Sequence, residues 1–208
     1  LEYSIKEASG KIVLSHKEWF DLNDTNQVIS STVEIKNPIL WNGRKNPHLY
    51  SVEAKLITEN SMDPVVQNFG IRTYSFDANK GFILNNNPYR LYGVNMHQEW
   101  NQLGPALTES QHITDIDLVD EIGATAWRLA HYQHSDMVYE LSDKKGILTW
   151  AEIPFVHDYS GREGENAKQQ LTELILQNYN HPSIFVWGLW NEVRALNSPD
   201  EPCVLLTK

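Results

Sequence analysis

The ten residues Ser183-Ile184-Phe185-Val186-Trp187-Gly188-Leu189-Trp190-Asn191-Glu192 constrain this chain more than any other stretch. From Ile184 to Leu189 every residue is apolar or Gly, with His181-Pro182 before the run and Asn191-Glu192 close behind it. A short apolar run bounded by turn and polar residues reads as a strand buried on both faces. Such strands belong to parallel α/β sheets, whose C-terminal strand ends carry the ligand-binding residues. On that reading Glu192 stands at the mouth of a pocket and Asn191 donates to a ligand hydroxyl. Trp187 or Trp190 walls the acid against water. The competing reading is a surface Glu at the start of a helix.

The rest of the chain divides in two. Residues 1–76 read as all-β. Val28–Ile35 is rich in β-branched residues. Tyr50, Val52, Ala54 and Leu56 alternate with Ser51, Glu53, Lys55 and Ile57, the period of a half-buried strand. Gln67–Phe76 gives a further strand with Gly70 as a possible bulge. Turn residues collect between these runs at Asn42-Gly43, Asn46-Pro47 and Asn60–Pro64. Short strands at this spacing suggest a β-sandwich.

From residue 77 onward the period changes. Asn85-Asn86-Asn87-Pro88 between Phe82-Ile83-Leu84 and Tyr89-Arg90-Leu91 is a hairpin signal, because Asn tolerates left-handed backbone. Leu91–Met96 reads as a buried strand. Thr108 and Gln111 form a capping box, Ile113, Ile116, Val119 and Ile122 follow on one helical face, and Gly123 ends the helix. Ala124–Ala130 is a second strand. Ser135 opens a second helix with Val138 and Leu141 inward and Gly146 as its stop. Ile147–Ala151 is a third strand. A third helix covers Asn166–Tyr179 with Leu171, Leu174 and Ile175 inward. The opening run is the fourth strand. The order is β-α-β-α-β-α-β with right-handed crossovers.

If the four strands are parallel, their ends share one face. The first brings Asn95, His97, Glu99 and Trp100, and the second brings Arg128, His131 and Tyr132. The third brings Trp150 and Glu152, and the fourth brings Asn191 and Glu192. Singly these residues have bland readings. His131 can be a satisfied structural His, Arg128 can pair a buried carboxylate, and Glu152 can hold Arg128 or touch substrate. Four polar and aromatic sets at the same strand ends favour a site. Its chemistry suits sugar recognition and acid catalysis: His and Asn bond hydroxyls, Trp stacks on sugar faces, and a carboxylic acid protonates a glycosidic oxygen. His16, His48, His112, His134 and His181 read as structural or surface residues.

Composition narrows the partners. The net charge of -10 disfavours nucleic acid and anionic membrane, and seven Trp with nine Tyr suit sugar stacking. No Gly-rich phosphate loop follows any strand, so no dinucleotide cofactor is expected. Cys203 is the single cysteine, which excludes an intrachain disulfide and a Cys-rich metal site and leaves the compartment open. No run approaches membrane-spanning length, and the opening residues are not expected to act as a signal peptide. Leu1 is not an initiator Met, so the chain is expected to begin inside a longer protein or after processing.

Several segments together resemble glycoside hydrolase family 2, the β-galactosidase, β-glucuronidase and β-mannosidase group. They are Phe69-Gly70-Ile71-Arg72, Phe82–Pro88, Tyr92–His97, Arg128–Tyr132 and Asn180-His181-Pro182-Ser183 through Trp190-Asn191-Glu192. They follow the family's order and spacing. The resemblance implies an immunoglobulin-like sandwich over 1–76, then the first half of a TIM (β/α)8 barrel over 77–208. It implies a retaining mechanism with Glu192 as general acid/base and Asn191 on the sugar 2-hydroxyl. His97 and His131 match substrate-binding histidines, and Arg128, Glu152 and Trp150 join them as substrate-binding candidates. Retention needs a second carboxylate about 5–5.5 Å away, and the family places it on the seventh strand. A full barrel takes about 250 residues, so the chain is expected to be a fragment that is inactive alone. A half-barrel exposes strand edges and apolar faces, so the isolated chain is expected to self-associate.

The departures from the family are specific. Asn86-Asn87 stands where members usually have Asn-Gly. Many β-galactosidases bind Mg²⁺ through an acid two positions before a His; here His157 is present but Phe155 occupies the acid's place, and an apolar side chain cannot ligate Mg²⁺. No metal site is expected. Met96-His97-Gln98-Glu99-Trp100 looks more like the galactosidases than the glucuronidases, so the expected ligand is a terminal β-galactoside. A β-glucuronidase, a β-mannosidase and a non-catalytic sugar-binding module are the alternatives.

Overall fold

In a computed structural model, residues 1–21, 23, 24, 26–157 and 162–193 are described. The first unit is a four-stranded antiparallel sheet. Its strands are β1 (Glu2–Glu7), β2 (Ile12–Lys17), β3 (Tyr50–Ile57) and β4 (Met62–Phe69), in the order β2-β1-β3-β4. The alternation over Tyr50–Ile57 is the strand β3, with Tyr50 buried at its start. Val28–Ile35 is not a strand. It has β-branched composition but no ladder partner among the described residues, and Val28 is 90% exposed. Instead Ser31, Val33, Ile35 and Pro38 lie along an apolar groove with Ile5, Val52, Ala54 and Phe69 of the sheet.

The run Gln67–Phe76 is two strands. β4 ends at Phe69, and β5 (Tyr74–Asp77) joins a different sheet with β6 (Gly81–Leu84) and β7 (Asn87–Pro88). Gly70 is the break. A side chain there would run into Pro182 and Trp41, so the backbone passes too close for any residue but Gly. The β6–β7 hairpin turns on Asn85 and Asn86, both left-handed at φ 49° and 64°.

The second unit is a parallel sheet wound in one direction. β8 (Gly93–Met96), β9 (Ala126–Leu129), β10 (Leu148–Glu152) and β11 (Ile184–Gly188) pair in chain order. The helices α1 (Glu109–Glu121), α2 (Asp136–Lys145) and α3 (Gly164–Asn178) connect them. This is the start of a TIM barrel. The reciprocal Thr108–Gln111 box caps α1, and Gly123 and Gly146 end α1 and α2 with left-handed backbone. On α1 the buried residues are His112, Ile116 and Val119. Ile113 and Ile122 are exposed, because a spacing of three drifts off the face that a spacing of four returns to. β8 is likewise more exposed than its composition suggests, since it forms one edge of the sheet.

Two cores follow from the strand alternation. The outer face carries Trp127, Leu129, Ala151 and Ile184 against Ile116, Val138 and Leu174 of the helices. The inner face closes at its base over Trp41, Phe82, Leu84, Tyr89, Ala126, Leu148 and Phe185. β11 contains one irregularity: Thr149 pairs with Ile184 and Trp150 with Val186, so Phe185 is an extra residue. Ile184 packs outward, while Phe185 joins the inner core and Val186 packs against it.

The two units are bolted together beneath the barrel. Trp41 is fully buried and its indole donates to the Asp143 carbonyl at 2.9 Å. Arg44 donates to the Ala124 carbonyl at 2.9 Å and pairs with Asp120 at 2.7 Å. Arg72 donates to the carbonyls of Pro182 and Ile184 at the root of β11.

Candidate active site

The strand register sets the levels of the inner face. Asn95, Arg128, Trp150 and Val186 are aligned across the four strands, and Glu152 is aligned with Gly188 one level nearer the C-terminal ends. Arg128 therefore reaches upward from the middle level. Its Nε donates to Glu152 Oε2 at 2.9 Å and its Nη2 to Glu152 Oε1 at 3.0 Å. The same Nη2 donates to Asn191 Oδ1 at 2.8 Å. Trp150 lies beside the guanidinium, with its ring centre 5.5 Å from Arg128 Cζ. It is thus an element of the floor, and its buried indole N–H has no partner among the described residues.

Glu152 is fully buried. A carboxylate removed from water must be paired and hydrogen-bonded. Arg128 supplies one side, and His131 supplies the other with Nδ1 2.6 Å from Glu152 Oε1. Room for this carboxylate depends on Gly188, because a Cβ there would lie 2.9 Å from Glu152 Oε2 and closer still to the Trp150 indole. The composition of β11 showed this Gly only as a gap in an apolar run. Glycine inside a strand is the available signal for such a close approach.

Asn191 is placed by backbone as well as by Arg128. Its N–H donates to the Phe155 carbonyl at 2.8 Å, and its own carbonyl accepts from His157 N–H at 3.1 Å. This continues the β10–β11 ladder past the ends of both strands. Because Arg128 can only donate, the amide oxygen of Asn191 faces it and the amide NH2 faces away. Glu192 follows with left-handed backbone, φ 54°, and a side chain 70% exposed. His157 Nδ1 stands 3.4 Å from Glu192 Oε2. Trp187 and Trp190 do not wall Glu192. Both pack against the helix-side core, Trp187 because alternation within β11 turns it away from the inner face and Trp190 from beyond the strand's end at Gly188. Phe155 is buried in that same core, so it cannot serve as an oxygen ligand beside His157.

The loops after β8 and β9 are tied together. Gln98 N–H bonds Tyr132 Oη at 3.2 Å, and Gln98 Oε1 accepts from Ser135 N–H at 2.8 Å. This holds the His97 ring edge-on to His131, centroids 5.1 Å apart. Trp100 turns away to α1, where its indole donates to Asp115 at 2.9 Å. Burial holds the Asp115 carboxyl above its usual range. His134 is buried behind the site with Nε2 3.1 Å from the Ala130 carbonyl, and burial pushes it down to about 4. His181 pairs with Asp143 at 2.6 Å in the base of the barrel, away from the strand ends. Among the described residues, Arg128, His131, Glu152 and Asn191 thus converge, with His97 against His131 and Glu192 next to Asn191. Trp150 lies one level deeper.

Two family descriptions cover almost the whole chain. Residues 1–72 match glycosyl hydrolases family 2, and residues 78–200 match the TIM barrel domain of glycosyl hydrolases family 2. The chain belongs to glycosyl hydrolase family 2. Among its relatives is a β-glucuronidase of Bacteroides fragilis, 45% identical over 172 residues, covering 78% of this chain and 25% of the relative. A β-galactosidase of Thermoanaerobacter pseudethanolicus is 33% identical, covering 81% and 23% respectively. A solved structure from Bacteroides fragilis, provisionally assigned as a β-galactosidase, superposes with a TM-score of 0.90 at 47% identity over 94% of this chain and 29% of that one. The chain spans about a quarter of the length of these curated family 2 relatives.

Proposed function

We propose that the protein containing this chain is a retaining exo-β-glycosidase with Glu192 as general acid/base. The observation that carries this reading is the coupling of Asn191 to Arg128 at the end of the fourth parallel strand. It presents an amide donor to a ligand immediately beside an open carboxyl group. In the first step the Glu192 carboxyl gives its proton to the glycosidic oxygen, and in the second its carboxylate takes a proton from water. Asn191 bonds a sugar hydroxyl next to the reacting carbon. His131 and His97 bond further hydroxyls, while Arg128, Glu152 and Trp150 form the support beneath. The covalent step requires a second carboxylate, which we assign to residues outside this chain, so the isolated chain is inactive. We divide the chain near residue 77, between a sandwich that supports and a barrel that binds.

A terminal β-galactoside is the substrate we favour, from the His97-Gln98-Glu99-Trp100 segment. A β-glucuronide is the second reading, favoured by the relative that shares 45% identity. The test is hydrolysis of aryl β-galactoside, β-glucuronide and β-mannoside by the full-length protein, with the Glu192→Gln form beside it. Cleavage of the galactoside, lost by orders of magnitude in Glu192→Gln, supports the reading. Preference for the glucuronide replaces the sugar and keeps the role of Glu192. Inertness toward all three favours a sugar-binding module.

A further inference from the structure

The donors and acceptors around Glu152 leave one arrangement of protons. Arg128 Nη2 carries two hydrogens. One goes to Glu152 Oε1 at 3.0 Å and the other to Asn191 Oδ1 at 2.8 Å. None remains for His131 Nδ1, although that atom lies 3.3 Å from Nη2. The shorter contact of Nδ1 is 2.6 Å to Glu152 Oε1. A carboxylate held by a guanidinium is an acceptor only, so Nδ1 must be the donor. In the neutral ring Nε2 then carries no hydrogen. Nδ1 is the atom turned toward buried Glu152, and the His131 side chain remains 24% exposed, so its open side is the side of Nε2.

We propose that Glu152 is a positioning residue that sets the polarity of the sugar site: it fixes His131 as an acceptor at Nε2 and, through Arg128, fixes Asn191 as a donor at its amide. The inference rests on the glycosidase reading for its ligand and adds the direction of each hydrogen bond. A sugar hydroxyl at His131 must donate, whereas the hydroxyl at Asn191 must accept. Glu152 itself touches neither.

The ring nitrogens report this directly. In full-length protein labelled with ¹⁵N histidine, with the His131 signal assigned from His131→Gln, Nδ1 is expected at the protonated position and Nε2 at the bare one. Glu152→Leu, which removes the acceptor, should shift the ring toward the Nε2–H form, whereas Glu152→Gln, whose amide oxygen still accepts, should keep much of the Nδ1–H form. A wild-type ring protonated at Nε2, or a ring unchanged in Glu152→Leu, overturns the proposal.

A second measurement reads the ligand. Each hydroxyl of the best aryl glycoside is replaced in turn by hydrogen and by fluorine, which accepts weakly and cannot donate. One position should lose at least about tenfold in kcat/KM equally with either replacement. His131→Phe should abolish that sensitivity, and His131→Gln, whose amide oxygen reaches toward the place of Nε2, should retain part of it. Fluorine rescuing activity at every position would show His131 to be a donor and overturn the proposal. A protein inert toward every glycoside overturns the functional reading alone; the nitrogen shifts then still decide the proton arrangement.

Discussion

Arg128 and Glu152 meet in a two-point ion pair, Nε to Oε2 at 2.9 Å and Nη2 to Oε1 at 3.0 Å, with the Glu152 side chain 1% exposed. Such a pair contributes little net stability, because desolvation offsets most of the attraction. Removing one partner is another matter. Glu152→Ala should destabilise the fold by about 3–5 kcal/mol, since it leaves the guanidinium without its counter-charge. Denaturant unfolding of the full-length protein checks this, and a change under 1 kcal/mol would contradict the buried-pair description.

Glu192 should behave in the opposite way. Its side chain is 70% exposed and its backbone is left-handed. Glu192→Gln should leave stability within about 0.5 kcal/mol while hydrolysis falls by orders of magnitude. Glu192→Gly should be equally benign to the fold, because Gly prefers that backbone region. Thermal unfolding measured beside turnover separates the two effects.

Gly188→Ala should damage the site without altering a polar group. The new methyl would displace Glu152 and Trp150. Overpacking of this kind costs about 1–3 kcal/mol. The kcat/KM value should fall along with it, and retained full activity would mean that the Glu152 carboxylate has room to move.

The stability of the fold should also depend on His134. Burial is the main cause that lowers its pKa from 6.5 to about 4. Between those values the unfolded chain binds a proton that the folded chain refuses, so stability rises with pH. The full contribution is present above pH 6.5 and is lost as pH falls toward 4, by about 3 kcal/mol in total. Replacing His134 with Gln should flatten the stability profile across that window. Equal slopes in the two proteins would place the acid sensitivity elsewhere.

Trp41→Ala should cost about 3–5 kcal/mol, because it empties a fully buried position at the junction of the two units. Trp41→Phe should cost less, losing mainly the bond to the Asp143 carbonyl. Unfolding midpoints of the two variants provide the comparison.

What the residues revealed in advance followed from periodicity. Tyr50–Ile57 alternates cleanly and is a strand over that span. The first two helices were legible from their caps and glycine stops, which are local chemistry, and the third from the spacing of Leu171, Leu174 and Ile175. Val28–Ile35 misled because β-branched residues mark strands only where a partner is available to pair. Ile113 and Ile122 misled because regular spacing by three mimics a helical stripe. At the site, the gathering of Arg128, Glu152 and Asn191 at successive strand ends was readable from order alone. That Arg128 bonds both others was not, since it depends on levels across the sheet and on the space left by Gly188. Nor was the packing of Trp190 against the helix-side core readable, because β11 ends at Gly188 and the alternation of the strand does not reach that residue.

Arg72 holds the carbonyls of Pro182 and Ile184. Asn191 lies seven positions further along the same stretch, roughly 20 Å away at the rise of an extended chain. The first unit therefore grips the root of the strand whose tip leads into Asn191 and Glu192. Any tilt of one unit against the other would act on that tip as a lever arm. An engineer seeking to tune this site without touching its side chains would have a handle at the far end of β11.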